Sequence, residues 1–96
     1  MIHAKFALGN IYFTEGVSTW IGNEPTRNVS RVHNAINRYV RGDWGNMDDE
    51  DIETNHEALL YGMRLMGVYD VDAEEDLWII TNADRLGTTI LWPSEY

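Results

Sequence analysis

The fold is decided by the stretch Trp78-Ile79-Ile80-Thr81-Asn82-Ala83-Asp84-Arg85, which is followed at once by Thr88-Thr89-Ile90-Leu91-Trp92-Pro93. Both parts contain short runs of β-branched and aromatic residues, as strands do. The connection between the two runs is too short for parallel pairing, so they predict an antiparallel hairpin. A third run, Leu65 to Val71, joins through Asp72 to Asp76 and extends the hairpin to a three-stranded meander of Leu65–Val71, Leu77–Thr81 and Thr88–Trp92.

Two helices are predicted before the meander. The first runs from a cap at Thr26 to about Arg41, because apolar residues recur at steps of three and four on one face: Val29, Val32, Ile36, Tyr39 and Val40. The second runs from Asp48 to Gly62, since Asp48 is suited to cap a helix and the acids after it favour the positive end of the helix dipole. Its predicted inner face consists of Ile52, Leu59, Leu60 and Met63.

The N-terminal part predicts one strand, Ile11 to Thr14, and a short helical turn at Gly16 to Ile21. With that strand at one edge of the meander and both helices on one face, the sequence predicts a single α+β domain over residues 1–96. Its sheet is expected to be antiparallel with about four strands.

Composition predicts a binder of proteins rather than of nucleic acid. The chain has 16 acidic and 7 basic side chains, a net charge of −9, and such a surface repels nucleic-acid and membrane phosphates. It has no cysteine, and no run approaches the roughly 20 apolar residues that span a bilayer. Because Met1 to Phe6 lacks the apolar core of a signal peptide, we expect a cytoplasmic protein without membrane attachment or direct nucleic-acid binding.

The acids are concentrated in two segments. Asp43 to Glu57 contains seven acids and no lysine or arginine, and Asp70 to Asp76 contains five more acids. Spaced carboxylates on a rigid surface imitate a phosphate backbone, so they predict a surface for a basic protein partner, formed by Asp48, Asp49, Glu50, Glu53, Asp70, Asp72, Glu74, Glu75 and Asp76. The competing interpretation is a solvated surface whose helix-start acids serve the dipole.

A second candidate surface is the outer face of the first helix, with Arg27, Arg31, Arg38 and Arg41. Arginine is suited to bidentate binding, and Trp44 would be an exposed anchor beside it. The competing interpretations are a solvated helix face or its pairing with the acidic helix of the same or a second copy, and a Trp44 that fills the core while Asp43 stabilises the turn.

A third candidate is the polar turn formed by Asp84 and Arg85, which would contact a partner. The competing interpretation is that Asp84 caps the turn through the backbone and Arg85 pairs with a nearby carboxylate. No second titratable group lies close in sequence, so the turn does not predict acid–base catalysis.

The sequence predicts no metal site, no cofactor and no enzymatic activity. His56-Glu57 begins like a metalloprotease helix, yet Leu60 stands where the second ligand is needed. His56 is instead expected on the inner face of its helix. No serine or threonine stands in a nucleophile-elbow context, and no glycine-rich loop precedes a helix.

Two motifs carry a resemblance to a known group of proteins. One is Gly42-Asp43-Trp44-Gly45 with Asn55 downstream, and the other joins Trp78-Ile79-Ile80-Thr81-x-Ala83-Asp84-Arg85 to Thr88-Thr89-Ile90-Leu91-x-Pro93-x-Glu95-Tyr96. Together they resemble a family of small acidic proteins carried on bacterial plasmids, phages and other mobile elements. The resemblance covers Arg38 to Tyr96 and implies a genomic setting rather than a reaction. Tyr39 and Asn82 depart from the family pattern, which has histidine and glutamate there.

These observations predict a non-enzymatic acidic protein from a mobile element that inhibits a host nucleic-acid-targeting defence complex. It would act as an anti-CRISPR or anti-restriction protein and DNA mimic, because the channel that holds a guide heteroduplex is positively charged. The alternative is an accessory or regulatory module that binds one host protein, or a second copy in a homodimer, through the arginine face and Trp44.

Overall fold

The computed structural model describes residues 4–96 of the chain. The elements in chain order are β1 (Asn10–Phe13), α1 (Glu15–Asn23), α2 (Pro25–Val40), α3 (Asp49–Tyr61), β2 (Leu65–Tyr69), β3 (Leu77–Thr81), β4 (Gly87–Leu91) and a 3-10 turn (Pro93–Glu95). The predicted α+β fold with a four-stranded sheet is confirmed.

The sheet has the strand order β1-β4-β3-β2. β2, β3 and β4 are antiparallel neighbours, as their short connections predicted. β1 differs from the prediction of a wholly antiparallel sheet, because it lies parallel to β4 with Ile11 opposite Thr88 and Phe13 opposite Ile90. The chain between β1 and β4 contains three helices and two strands, so the length that a parallel crossover needs is available.

One face of the sheet packs on the helices. Leu65, Leu77, Ile79 and Ile90 are completely buried on this face. They share a core with residues from every helix, namely Val17 of α1, Val32, Ala35 and Tyr39 of α2, and Ala58 of α3. α3 reaches this core from the outer edge of β2, where its Asn55 side chain contacts Met66.

A chain of buried hydroxyl groups joins α2 to the sheet. The Tyr39 hydroxyl donates to Oγ1 of Thr81 at 2.7 Å, and the hydroxyls of Thr81 and Thr88 are 2.8 Å apart. Thr88 then donates to the carbonyl oxygen of Leu8 at 2.7 Å. Burial raises the pKa of Tyr39 to about 12, so this residue remains a neutral donor at physiological pH. Each hydroxyl in the chain has an acceptor, as buried polar groups require.

The ends of α3 agree with the prediction, but its buried face does not. Oδ1 of Asp48 accepts from the N–H of Asp51 at 2.8 Å, and Gly62 ends the helix in the left-handed conformation at φ 69°. Asn55 and Ala58 are the buried residues of this helix, whereas Leu60, Met63 and His56 are exposed. The three predicted inner positions were wrong because the polar Asn55 lies at the centre of the buried face.

The first third of the chain is more helical than predicted. The expected turn at Gly16 to Ile21 is the nine-residue helix α1. α2 begins at Pro25 rather than after a cap at Thr26, since proline lacks the N–H that the first turn leaves unpaired. Val29, predicted for the inner face of α2, is exposed.

The outer edge of β2 is covered by groups from the segment before α3 and from α3 itself. The Asn55 amide donates to the Met66 carbonyl at 2.6 Å and accepts from the Met66 N–H at 3.2 Å. The Val68 N–H donates to the Trp44 carbonyl at 3.0 Å. Gly45 crosses this edge at φ 80°, where a β-carbon would overlap the Val68 carbonyl oxygen. The backbone groups that a strand edge normally leaves open are therefore paired here.

Replacing Asn55 should destabilise the fold strongly. We expect Asn55→Ala to lower the free energy of unfolding by about 2–3 kcal/mol, because the N–H and C=O of Met66 both lose a buried partner. Urea denaturation followed by circular dichroism measures the change. Thr54→Ala on the exposed side of the same helix is the control, with an expected change within about 0.5 kcal/mol. Equal effects of the two substitutions would contradict the edge-capping role of Asn55.

Candidate acidic interaction surface

The two acidic segments meet where the chain before α3 contacts the end of the β2–β3 connection. The segment before α3 pairs with Val68 near the end of β2, and Asn55 of α3 pairs with Met66 near its start. The start of α3 therefore lies beside the end of β2, where the acidic β2–β3 connection begins. Asn46, just before the helix cap, lies 3.5 Å from Oδ2 of Asp76. We call this surface the acidic end and define it by Asp48, Asp49, Glu50, Glu53, Asp70, Asp72, Glu74, Glu75 and Asp76.

The acids of α3 lie along one exposed stripe. At about 100° per residue, Asp49, Glu50 and Glu53 fall within a quarter to a third of the helix circumference. Their stripe lies opposite the buried Asn55 and Ala58. No side chain of the three forms a hydrogen bond or ion pair with any residue from 4 to 96.

Several acids of the β2–β3 connection have structural partners. Asp70 accepts from the Asp72 N–H at 2.9 Å, and Glu75 accepts from the Ser94 N–H and hydroxyl at 2.9 and 2.7 Å. Glu74 lies between them without a partner in the described part of the chain. The acidic end therefore has four unpaired carboxylates: Asp49, Glu50, Glu53 and Glu74.

The arginine face of α2 is largely neutralised by acids of the same chain. Arg27 pairs with Glu24 at 3.1 Å and Arg31 with Asp72 at 3.2 Å. Arg41 donates to the carbonyl oxygen of Asn37 at 3.0 Å. The predicted pairing of this face is thus present, but its partners lie before the helix and in loops rather than on the acidic helix α3.

Arg38 and Asp43 hold the loop that follows α2. Arg38 Nε lies 2.7 Å from Oδ2 of Asp43, and the guanidinium lies over the Tyr69 ring at 5.2 Å. The Tyr69 hydroxyl donates to the Asp43 carbonyl at 2.7 Å. The hydrogen bond from Arg38 lowers the pKa of Asp43, and burial raises the pKa of Tyr69. This arrangement fixes the Gly42–Gly45 motif in place.

Trp44 is a core residue. Its side chain is 3% exposed, and its ring packs edge-to-face on Tyr39 at 5.7 Å and stacks with Phe6 at 6.0 Å. The prediction of Trp44 as an exposed anchor is therefore wrong, and the competing core interpretation describes its position. Its Nε1 has no hydrogen-bond partner among residues 4–96.

The polar turn also has a structural role. Asp84 accepts from the Leu86 N–H at 2.9 Å, so it caps the turn through the backbone. Arg85 donates to the Met63 carbonyl at 2.6 Å and to the Ala58 carbonyl at 3.3 Å at the end of α3. The expectation that Arg85 pairs with a carboxylate was wrong, because the last carbonyls of a helix accept hydrogen bonds from cations.

Glu95 joins the C-terminal motif to the start of α1. Its carboxylate accepts from the Thr14 hydroxyl at 2.6 Å and from the Gly16 N–H at 3.0 Å. The hydrogen bond from Thr14, followed by that from the Trp92 N–H, lowers the pKa of Glu95. In both motifs, then, the charged residues stabilise turns and helix ends.

A pocket of about 490 Å³ lies beside the acidic end and was not predicted from the sequence. It lies between the first half of α3 and the outer face of β2 and β3, and its lining includes Asp48, Asp51, Arg64 and Trp78. The lining residues come from three separate segments of the chain, so no local sequence motif could have indicated the pocket. Tyr96 packs on Trp78 and accepts from Arg64 at 2.7 Å, so the C-terminal residue also borders this region.

Two further features concern function. Among residues 4–96, no group of three or more histidine or acidic side chains is placed to hold a metal ion. In the same part of the chain no helix is long and apolar enough to cross a membrane. His33 and His56 are exposed, and His3 lies outside the described residues.

Comparison of the chain with known protein families, with curated proteins and with solved structures finds no match.

The lowered pKa of Asp43 predicts a pH dependence of stability. Its ordinary value is 3.8, and a lower value in the folded state means that its contribution is present at neutral pH and is lost as pH falls through the folded-state pKa. We expect Asp43→Asn to reduce the free energy of unfolding at about pH 7, and this reduction to shrink progressively as the pH falls below the ordinary value of 3.8. The control Glu74→Gln removes a carboxylate that has no partner among residues 4–96, so it should change the free energy of unfolding little at any of these pH values. Urea titrations at a series of pH values from neutral to acidic measure the free energy of unfolding of both variants. The same pH dependence of the loss in both variants would refute the prediction.

Proposed function

We propose that this protein is a non-enzymatic binding protein whose acidic end docks on the basic nucleic-acid channel of a host defence complex and inhibits it. The inhibitor would be encoded by a mobile element, act in the bacterial cytoplasm and belong to the anti-CRISPR or anti-restriction type. The observation that carries the proposal is the contact between the two acidic segments at Asn46 and Asp76, together with four carboxylates of these segments that have no partner among residues 4–96.

The rigidity of the acidic end supports this role. Asp48 caps the first turn of α3, and Asp70 and Glu75 fix the β2–β3 connection through hydrogen bonds to Asp72 and Ser94. The unpaired carboxylates therefore project from an ordered backbone, which reduces the conformational entropy lost on binding. A fixed array of negative charge also steers a basic partner and accelerates its association.

The pocket beside the acidic end offers a recess for an arginine or lysine side chain of such a partner. Asp48 and Asp51 supply two carboxylates against one lining cation, Arg64, and Trp78 supplies an aromatic surface of the kind on which guanidinium groups stack. Buried anchors of this type contribute much of the binding energy at protein interfaces.

The arginine face is a weaker basis for function. Three of its four arginines form ion pairs within the chain, and Trp44 beside it is buried. An accessory module that binds through this face would have to break those pairs or leave them at the rim of the interface, where exposed pairs contribute little.

The step from a basic partner to a defence complex rests on chemistry and on the resemblance described above. Guide-directed nucleases hold their heteroduplex in a positively charged channel and contact its backbone rather than its sequence. An acidic protein competes for that channel without matching any sequence. The resemblance to small acidic proteins of plasmids and phages agrees with such a setting.

The proposal is tested with purified protein against a panel of guide-directed nucleases and restriction enzymes, with DNA cleavage as the readout. We expect inhibition of at least one enzyme, weakened by salt as exposed charge contacts are. For that enzyme, Glu53→Gln/Glu74→Gln should raise the inhibitory concentration roughly tenfold.

The matched control is Glu15→Lys, which makes the same change of two units in net charge at an exposed acid in the first turn of α1, outside the acidic end. It should stay within about twofold of the unmodified protein. Absence of inhibition throughout the panel would reject the defence assignment. Equal losses in both variants would assign the effect to net charge and reject the acidic end as the docking surface.

A further inference from the structure

The two edge strands of the sheet differ in whether their outer backbone groups are paired. The outer edge of β2 is covered by Asn55 and the Trp44–Asn46 segment, whereas β1 at the opposite edge has no partner beyond β4 within residues 4–96. β1 carries no lysine, proline or bulge, which are the usual devices that protect an open edge. All four of its residues are exposed, including Ile11 at 40%, Tyr12 at 54% and Phe13 at 43%.

We propose that β1 is a self-association surface, at which β1 of a second copy pairs in the antiparallel direction and the two sheets become one of eight strands. This interaction is independent of the acidic end. It uses a different edge of the sheet and different residues.

The backbone of β1 is self-complementary in this arrangement. The Asn10 N–H donates to the Leu86 carbonyl just before β4, and the Thr14 N–H donates to the Ile90 carbonyl of β4. Alternation along a strand therefore directs the N–H and C=O of Ile11 and Phe13 toward the open edge. A twofold axis at Tyr12 places Ile11 of each copy opposite Phe13 of the other. Each such pair exchanges two hydrogen bonds, and the two Tyr12 residues form the closer pair, with Cα atoms about 4.5 Å apart.

The side chains beside this edge fit the same partner. An apolar groove of about 180 Å³ lies next to β1 on the helix side, lined mainly by Phe13, Ile21, Val29 and Ile36. A twofold axis perpendicular to the sheet keeps both helix layers on the same side. The exposed Val29 and Phe13 of one copy then face the equivalent residues of the other, which accounts for apolar side chains that the monomer leaves in water.

Charge favours a second copy at this edge in particular. Phe6 to Thr14 contains no charged residue, although the chain as a whole carries −9. β1 and β2 are at opposite edges of the sheet, so pairing through β1 sets the two β2 strands seven strand spacings apart, about 34 Å. That distance is several times the Debye length of about 8 Å at physiological salt, so repulsion between the two acidic ends is screened.

The first test is sedimentation velocity over a roughly hundredfold range of protein concentration. We expect a monomer–dimer equilibrium. Ile11→Lys/Phe13→Lys should raise the dissociation constant at least about a hundredfold, because edge lysines oppose strand pairing. The control Leu60→Lys/Tyr61→Lys makes the same change in charge at two exposed apolar positions of α3 and should leave the equilibrium unchanged.

A second test reads the register directly. The chain has no cysteine, so Tyr12→Cys introduces a single thiol. Non-hydrogen-bonded pairs in antiparallel strands meet the distance that a disulfide requires, and we expect a disulfide-linked dimer on oxidation. Leu60→Cys should remain a monomer. The proposal would be overturned by a protein that is monomeric at every concentration. It would also be overturned by a dimer that the Leu60→Lys/Tyr61→Lys variant disrupts and the Ile11→Lys/Phe13→Lys variant does not. If the protein is monomeric, the open edge of β1 would instead pair with an extended segment of a different protein.

Discussion

The hydrogen-bonded chain from Tyr39 through Thr81 and Thr88 to the Leu8 carbonyl is the constraint on which the rest of the structure depends. It lies in the core, and loss of one hydroxyl leaves a buried partner unpaired at a cost of about 1–3 kcal/mol. At one end it sets the position of α2 over the sheet. At the other it holds the segment just before β1 against β4, which fixes the parallel register of the edge strand. A single polar path therefore determines both the helix layer and the open edge.

The position of α2 in turn decides how charge is distributed. With Tyr39 fixed, Arg31 and Arg38 lie on the side of α2 that faces the β2–β3 connection and the Gly42–Gly45 loop, where they meet Asp72 and Asp43. These pairs neutralise most of the arginine face and anchor two loops. The acids without a basic partner then remain on α3 and at the tip of the β2–β3 connection. The unpaired carboxylates of the acidic end are thus the acids that are left after the arginines of α2 have paired within the chain. Composition alone does not reveal which acids these are.

The parts of the fold that sequence predicted are those with local signals. Asp48 and Gly62 marked the ends of α3 through capping chemistry, and the short connections required an antiparallel meander. β1 was correctly predicted at one edge of the sheet, but its parallel direction was not, because its partner β4 is distant in the chain and no local pattern encodes that pairing. The inner face of α3 was misjudged because Asn55 is polar yet buried against a strand edge. For the candidate site, the acidic segments were identified from composition, but which acids are unpaired depends on contacts between Arg31 and Asp72 or Glu75 and Ser94 that only the fold creates.

The acids of this protein divide into those that build the fold and those that do not. Asp43, Asp48, Asp70 and Glu95 each hold a loop or a helix end, whereas Asp49, Glu50, Glu53 and Glu74 make no such contact within residues 4–96. Substitution of Glu53 or Glu74 costs little stability, since surface positions without special contacts usually tolerate exchange, whereas Asp49 and Glu50 also stabilise the first turn of α3 through the helix dipole. The pattern of exposed charge is therefore free to drift while the scaffold stays constant. A lineage in conflict with a changing partner gains from this separation, because it can alter its binding specificity in single steps without passing through unfolded intermediates.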